Sequence, residues 1–130
     1  MKTTMMEAVR AHLAAKEMGR QILPYTLALA MVKVKQATQA EMDCYAAEEQ
    51  KLVERYAARD DDGNILLKSG RFAFRDPKDR PAYEAARNKL GETVTDVSLP
   101  HLTAAPPENI SPEALEALSI FIRFKEAKKT

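Results

Sequence analysis

PYTLALAMVKVKQATQAEMDCYAAEEQKLVERYAA, residues 24–58, is a run of 35 positions with no glycine and no proline after the first. Leu27, Met31, Val34, Thr38, Met42, Tyr45, Leu52 and Tyr56 recur in it at steps of three and four, the spacing that lines one face of an α-helix. At about 1.5 Å per residue such a helix is about 50 Å long, more than the diameter of a small domain. It must serve as a spine for the rest of the chain or project into a partner. The stripe fits a period slightly above 3.6. A strict heptad from Leu27 would place Glu41, Glu48 and Arg55 in the seam, whereas eleven-residue steps align Val34, Tyr45 and Tyr56. That pattern argues against a regular left-handed coiled coil and for packing on the chain's own elements.

Outward from the spine, punctuation divides the chain. Thr4 and Glu7 have the spacing of a capping box, with Met5, Val9 and Leu13 on one face and Gly19 as a stop. A first helix is therefore expected within 1–19, and Pro24 suits the first turn of the next. The cluster Asp60-Asp61-Asp62-Gly63-Asn64 ends the spine. Two short runs around Ser69-Gly70 predict a β-hairpin over 64–75, with Phe72 and Phe74 on one face and Arg71, Ala73 and Arg75 on the other. A short helix is expected over 81–90, a strand or extended link over 92–99, and an irregular stretch around Pro100, Pro106 and Pro107. Ser111-Pro112-Glu113 starts a last helix, expected over 112–125, with Leu115, Leu118, Phe121 and Ile122 inward. Lys125, Lys128 and Lys129 suit its C-terminal end. The fold class expected is α+β, helix-dominated, as a single domain of 1–130.

Composition narrows function by exclusion. Twenty basic and 19 acidic residues leave a net charge of +1, with no global field to draw nucleic acid or anionic lipid. The one cysteine, Cys44, has no partner for an internal disulfide, which fits a reducing interior. No apolar run suits a signal peptide, and the patch 22–34, broken by Pro24 and Lys33, is too short to span a bilayer. A cytoplasmic setting without membrane contact is expected.

Candidate chemistry is weak. Asp60, Asp62 and Asn64 begin like a calcium loop, but Ile65 stands where glycine is required and Arg71 where a bidentate glutamate is required. His12, His101 and Cys44 are scattered, and no Glu-x-x-His pair joins Glu41, Asp43, Glu48 or Glu49. Ser111 lacks the glycines of a nucleophile elbow. No catalytic residue, metal or cofactor is therefore expected, and a non-enzymatic binding role remains. The one local charge bias is Lys68, Arg71, Arg75, Lys78 and Arg80 against Asp76 and Asp79, the expected partner-binding residues. They would meet another protein or, as the alternative, nucleic acid through the basic hairpin.

The helix ending in YAARDDDGN (56–64), the hairpin, the VSLP segment (97–100) and ISPEALEAL (110–118) together resemble a family of small uncharacterised proteins of phages and prophages of Gram-positive bacteria. The resemblance spans 24–122. It implies a phage-encoded accessory or structural protein made in the bacterial cytoplasm, with no family catalytic residues to carry over. With chemistry eliminated, the function expected is protein binding, as a virion assembly component or an inhibitor of a host defence factor. Finally, Leu23, Leu29, Ala30, Val32 and Ala37 form a second apolar strip on the spine. Pairing of two spine helices about a two-fold axis is the expected way to bury it, with cover by the first helix as the alternative.

Overall fold

A computed structural model describes residues 1–99 and 101–125; Pro100, Lys128 and Lys129 lie outside the described residues. The fold is α+β and helix-dominated. Strand β1 (Lys2–Thr4) leads into helix α1 (Met5–Met18), and α2 (Tyr25–Tyr56) is the 32-residue spine. Then follow β2 (Leu67–Lys68), β3 (Arg71–Phe72), a 3₁₀ turn (Pro77–Asp79), α3 (Arg80–Gly91), β4 (Val94–Asp96), β5 (Leu102–Ala104), α4 (Pro112–Leu118) and β6 (Ile122–Phe124).

The capping box is present. Glu7 N–H donates to Thr4 Oγ1 at 3.1 Å and Thr4 N–H to Glu7 Oε1 at 2.9 Å. That donation from the Thr4 amide leads the causes holding the Glu7 carboxyl below the ordinary glutamate range. Residues 2–4 are not helical as expected within 1–19. They pair antiparallel with β4, Thr3 opposite Thr95, and Thr95 Oγ1 donates to Glu41 Oε1 of α2 at 3.2 Å.

α1 and α2 pack through small side chains. Ala8, Ala11 and Ala15 are fully buried against Leu27, Ala30, Met31 and Val34, and alanine lets helix axes approach closely. The inward face of α1 is therefore Met5, Ala8, Val9, His12 and Ala15, while Leu13 points to solvent. Val97, Leu118, Phe121 and Ile122 close this core from the other side. A second, smaller core joins Met5, Val9 and Tyr45, with Met6, Met42 and Leu90 packed on it. There the backbone of α3 comes close to α1: a Cβ at Gly91 would stand 3.2 Å from the Met6 Cβ, so glycine fits where a larger residue would push.

The terminal helix expected over 112–125 stops at Leu118. Its start is as the local signals require, with Ser111 Oγ accepting from Ala114 N–H at 3.1 Å and Pro112 in the first turn. Beyond Ser119 the chain turns, and Ile122–Phe124 pairs in parallel with Leu102–Ala104, part of the stretch expected to be irregular. α4 is thus the crossover of a small β–α–β unit. Leu118, Phe121 and Ile122 are buried as expected, but from a helix end and a strand; Leu115 is exposed.

One polar pair sits inside the α1–α2 seam. The Thr38 hydroxyl donates to the Val34 carbonyl at 2.7 Å and so accepts from His12 Nδ1–H at 3.0 Å. Burial pushes the His12 pKa down; the Lys35 carbonyl and Asp43 oppose this, while the charges of Lys35 and Lys16 add to it.

Two outcomes are expected. Truncating the fully buried Leu118 to alanine should cost about 2–5 kcal/mol, read by chemical denaturation. Because the folded-state pKa of His12 lies below its unfolded value of about 6.5, the contribution of neutral His12 is present above that value. It is lost as pH falls from there through the depressed pKa. Melting temperatures should therefore decline as the pH is lowered through this window in the wild type, and more weakly in His12→Gln.

Candidate binding groove

The C-terminal half of α2 is clothed by the hairpin and α3. Three backbone hydrogen bonds tie its end to the hairpin, Ala58 N–H to Ala73 O, Leu66 N–H to Ala58 O and Arg75 N–H to Tyr56 O, and a fourth, Ala73 N–H to Leu66 O, joins the two arms of the hairpin, all 2.7–2.9 Å. The acidic turn ahead of them is closed by Asp60, whose Oδ1 accepts from Asp62 N–H and Asn64 N–H, each at 3.0 Å. The carboxylate that would open a calcium loop is spent on its own backbone.

At the hairpin tip Ser69 (φ 52°) and Gly70 (φ 77°) both take left-handed backbone, the pattern of a type I′ turn. Glycine suits that conformation; serine carries strain there. Immediately behind the turn Lys68 lies directly opposite Arg71 in the antiparallel register. Like charges facing each other across strands are unfavourable.

Phe72 and Phe74 turn toward α3, as the alternation requires, and gather with Tyr83. Ring centroids are 4.9 Å apart for Phe72–Phe74, 5.1 Å for Phe72–Tyr83 and 5.6 Å for Phe74–Tyr83. Tyr56 meets Tyr83 edge-on at 6.1 Å. Tyr83 is buried, which pushes its phenol pKa up, but both phenylalanines remain half-exposed. Between them and α2 runs an open groove of about 830 Å³. Its floor is Phe72, Phe74, Tyr83 and Val53, and its charged rim is Arg71, Arg80 and Arg87 with Glu49 and Glu84.

The rim charges differ in how far they are committed. Arg87 Nε donates to Glu49 Oε2 at 3.0 Å. Tyr45 Oη, buried without a well-formed hydrogen bond, lies beside this guanidinium and, with Glu49, pushes its pKa up. Arg80 lies over the Phe74 ring, 5.5 Å from its centroid, a cation–π contact that leaves its donors free. Arg71 is exposed and makes no ion pair among the described residues.

Of the five basic residues expected to bind a partner, Arg71 and Arg80 line the groove and Lys68 adjoins it across the register. Arg75 and Lys78 are exposed outside it. Sequence reasoning missed Tyr83 and Arg87. The signal was there: Arg80, Tyr83 and Arg87 fall at i, i+3 and i+7 on one face of α3. His12 and Cys44 are both on helices but do not meet, since His12 is buried against Thr38 and Cys44 is exposed. Among the described residues no three His, Cys, Asp or Glu side chains converge on a common point, and no helix is long and apolar enough to cross a membrane.

No family model, curated protein or solved structure matches this chain.

The opposed charges at the tip give a direct test. Lys68→Glu should replace a repulsive pair with an attractive one. A gain of a few tenths of a kcal/mol is expected, seen as a small rise in melting temperature that shrinks at high salt.

Proposed function

We propose that this chain is a non-enzymatic binding protein and that the groove between α2, the hairpin and α3 receives an acidic segment of another protein. The observation that carries the reading is the combination of a half-exposed aromatic floor with two rim guanidiniums, Arg71 and Arg80, that no carboxylate among the described residues neutralises. Aromatic and arginine side chains in a concave patch are what concentrates binding energy at protein interfaces. An aromatic or aliphatic anchor of the partner would lie on Phe72 and Phe74, with flanking carboxylates bridging to the arginines by paired hydrogen bonds. The setting we propose is the phage or prophage one that the sequence resemblance implies, with a virion component or a host defence factor as the proposed partner.

The alternative, a nucleic-acid contact, draws on the same basic residues. Protein is favoured because Phe72 and Phe74 tilt against one another, meet Tyr83 edge-on and, at Phe74, carry Arg80 over the ring, whereas single-stranded bases need an open ring face to stack on. Fluorescence anisotropy separates the two. The probes are labelled Glu/Asp-rich peptides carrying one Phe or Leu, and a mixed oligonucleotide of equal length. Peptide binding that weakens at least tenfold in Arg71→Glu/Arg80→Glu is the expected result. Binding of the oligonucleotide alone, steeply reduced by salt, would overturn it in favour of nucleic acid.

A further inference from the structure

The opposite end of the spine carries a different surface. Tyr25, Leu29 and Val32 are 80%, 36% and 46% exposed, and Ile22, just ahead of the first turn, is fully exposed. At 100° per residue Tyr25, Leu29, Val32, Gln36 and Gln39 fall on one ladder. That ladder lies on the side of α2 away from Leu27, Met31, Val34 and Thr38, the residues buried by α1 and the core. The second apolar strip read from the sequence therefore divides. Ala30 is buried in the core, and Leu23 and Ala37 pack on it, whereas Leu29 and Val32 stay outside. α1 cannot reach them, because it already occupies the far face.

Beside the ladder's C-terminal half lies a shallow depression of about 430 Å³, lined by Val32, Lys35, Gln36 and Gln39. A protruding Tyr25 at one end and a depression at the other are the two halves of a self-complementary contact. We propose that two copies of this chain pair through these ladders, antiparallel, about a two-fold axis passing between positions 30 and 31.

In that register Leu29 of each copy faces Val32 of the other, and Tyr25 faces Gln36 and enters the depression. The only charged residues from 22 to 39 are Lys33 and Lys35; they fall opposite Ala28 and Thr26, so no like charges meet. Each pairwise contact occurs twice, as an isologous interface requires. Three apolar side chains of the ladder per copy, with Ile22 beside them, make a small contact, at or below the low end for specific interfaces. The dimer is therefore expected to be one that dissociates on dilution.

This inference does not depend on the groove, and its test keeps the two apart. Light scattering is run across the micromolar range on wild type, on Leu29→Lys/Val32→Lys and on Arg71→Glu/Arg80→Glu. Wild type should rise with concentration toward the mass of two chains. The lysine pair, at exposed positions, should hold the mass of one chain while keeping the wild-type circular dichroism and melting temperature. The groove variant should dimerise like wild type. A wild-type mass of one chain at every concentration would falsify self-pairing and leave the ladder to a foreign partner. A dimer unaffected by the lysine pair would place the contact elsewhere and overturn the inference equally.

Discussion

A helix of 32 residues is about 48 Å long, and a chain of 130 residues does not hold enough other structure to surround it. Everything else in this molecule is arranged by that shortage. α1 is 14 residues long and covers one face of the N-terminal part of α2. The hairpin and α3 cover the C-terminal part, from a second direction. α1 contributes to both hydrophobic cores, through Ala8, Ala11 and Ala15 to the one that holds Phe121 and through Met5 and Val9 to the one that holds Tyr45, whereas the hairpin and α3 meet through the rings of Phe72, Phe74 and Tyr83. Close approach of α1 depends on its alanines, and that closeness has a consequence. With so little room in the seam, the His12 ring must be desolvated, and a buried imidazole without a partner would be strongly unfavourable. Thr38 supplies the partner, and its own hydroxyl proton goes back to the helix backbone at Val34.

The C-terminal half follows another logic. A two-stranded hairpin is marginal by itself, and this one is held by its backbone bonds to the end of α2 and by the aromatic contact with Tyr83. Those restraints fix the inner end of the hairpin, so its tip can carry features that favour neither folding nor packing: a serine in left-handed backbone and two cations face to face. Strain and repulsion of this kind persist where surrounding structure determines the conformation. The same restraints leave Phe72 and Phe74 incompletely covered, since α3 sets Tyr83 and Arg80 beside them and both rings stay half-exposed.

What could be read in the sequence was what depends on neighbours in sequence. Thr4 with Glu7 and Ser111 with Pro112 and Glu113 each specify a helix start within four residues. The spine's inward positions were legible because the 3.6 period repeats over many turns. β1–β4 and β5–β6 were not, because three-residue strands have no period and their partners lie some ninety and twenty residues away. Leu118, Phe121 and Ile122 misled for a physical reason: steps of three and four satisfy a helix, but the same burial is reached when the chain turns after Ser119 and continues as a strand. The groove was half legible. Arg71 and Arg80 stood out as local charge, while the contribution of Arg87, Tyr45 and Glu49 arises only from folding α3 onto α2.

The two exposed surfaces of the spine differ in chemistry and are far apart. From Val32 to Glu49 is 17 residues along one helix, about 25 Å. Charges at the groove rim are screened over about 8–10 Å at ordinary salt, so they exert little force on the ladder at Tyr25, Leu29 and Val32. The ladder is neutral and apolar, and contacts made there are governed by buried area and respond to concentration more than to ionic strength. The groove sets guanidiniums around rings, and contacts made there respond to salt and to charge reversal. Because α2 is continuous between them and packed along its length, it fixes their separation and leaves each free to be occupied without the other. A rigid rod with two chemically distinct ends is what the uncovered length of α2 amounts to, and pairing at the N-terminal end would set two copies of the groove at a fixed distance on one assembly. A partner presenting repeated acidic segments would then be held by both grooves at once, with an effective local concentration that a single groove cannot offer.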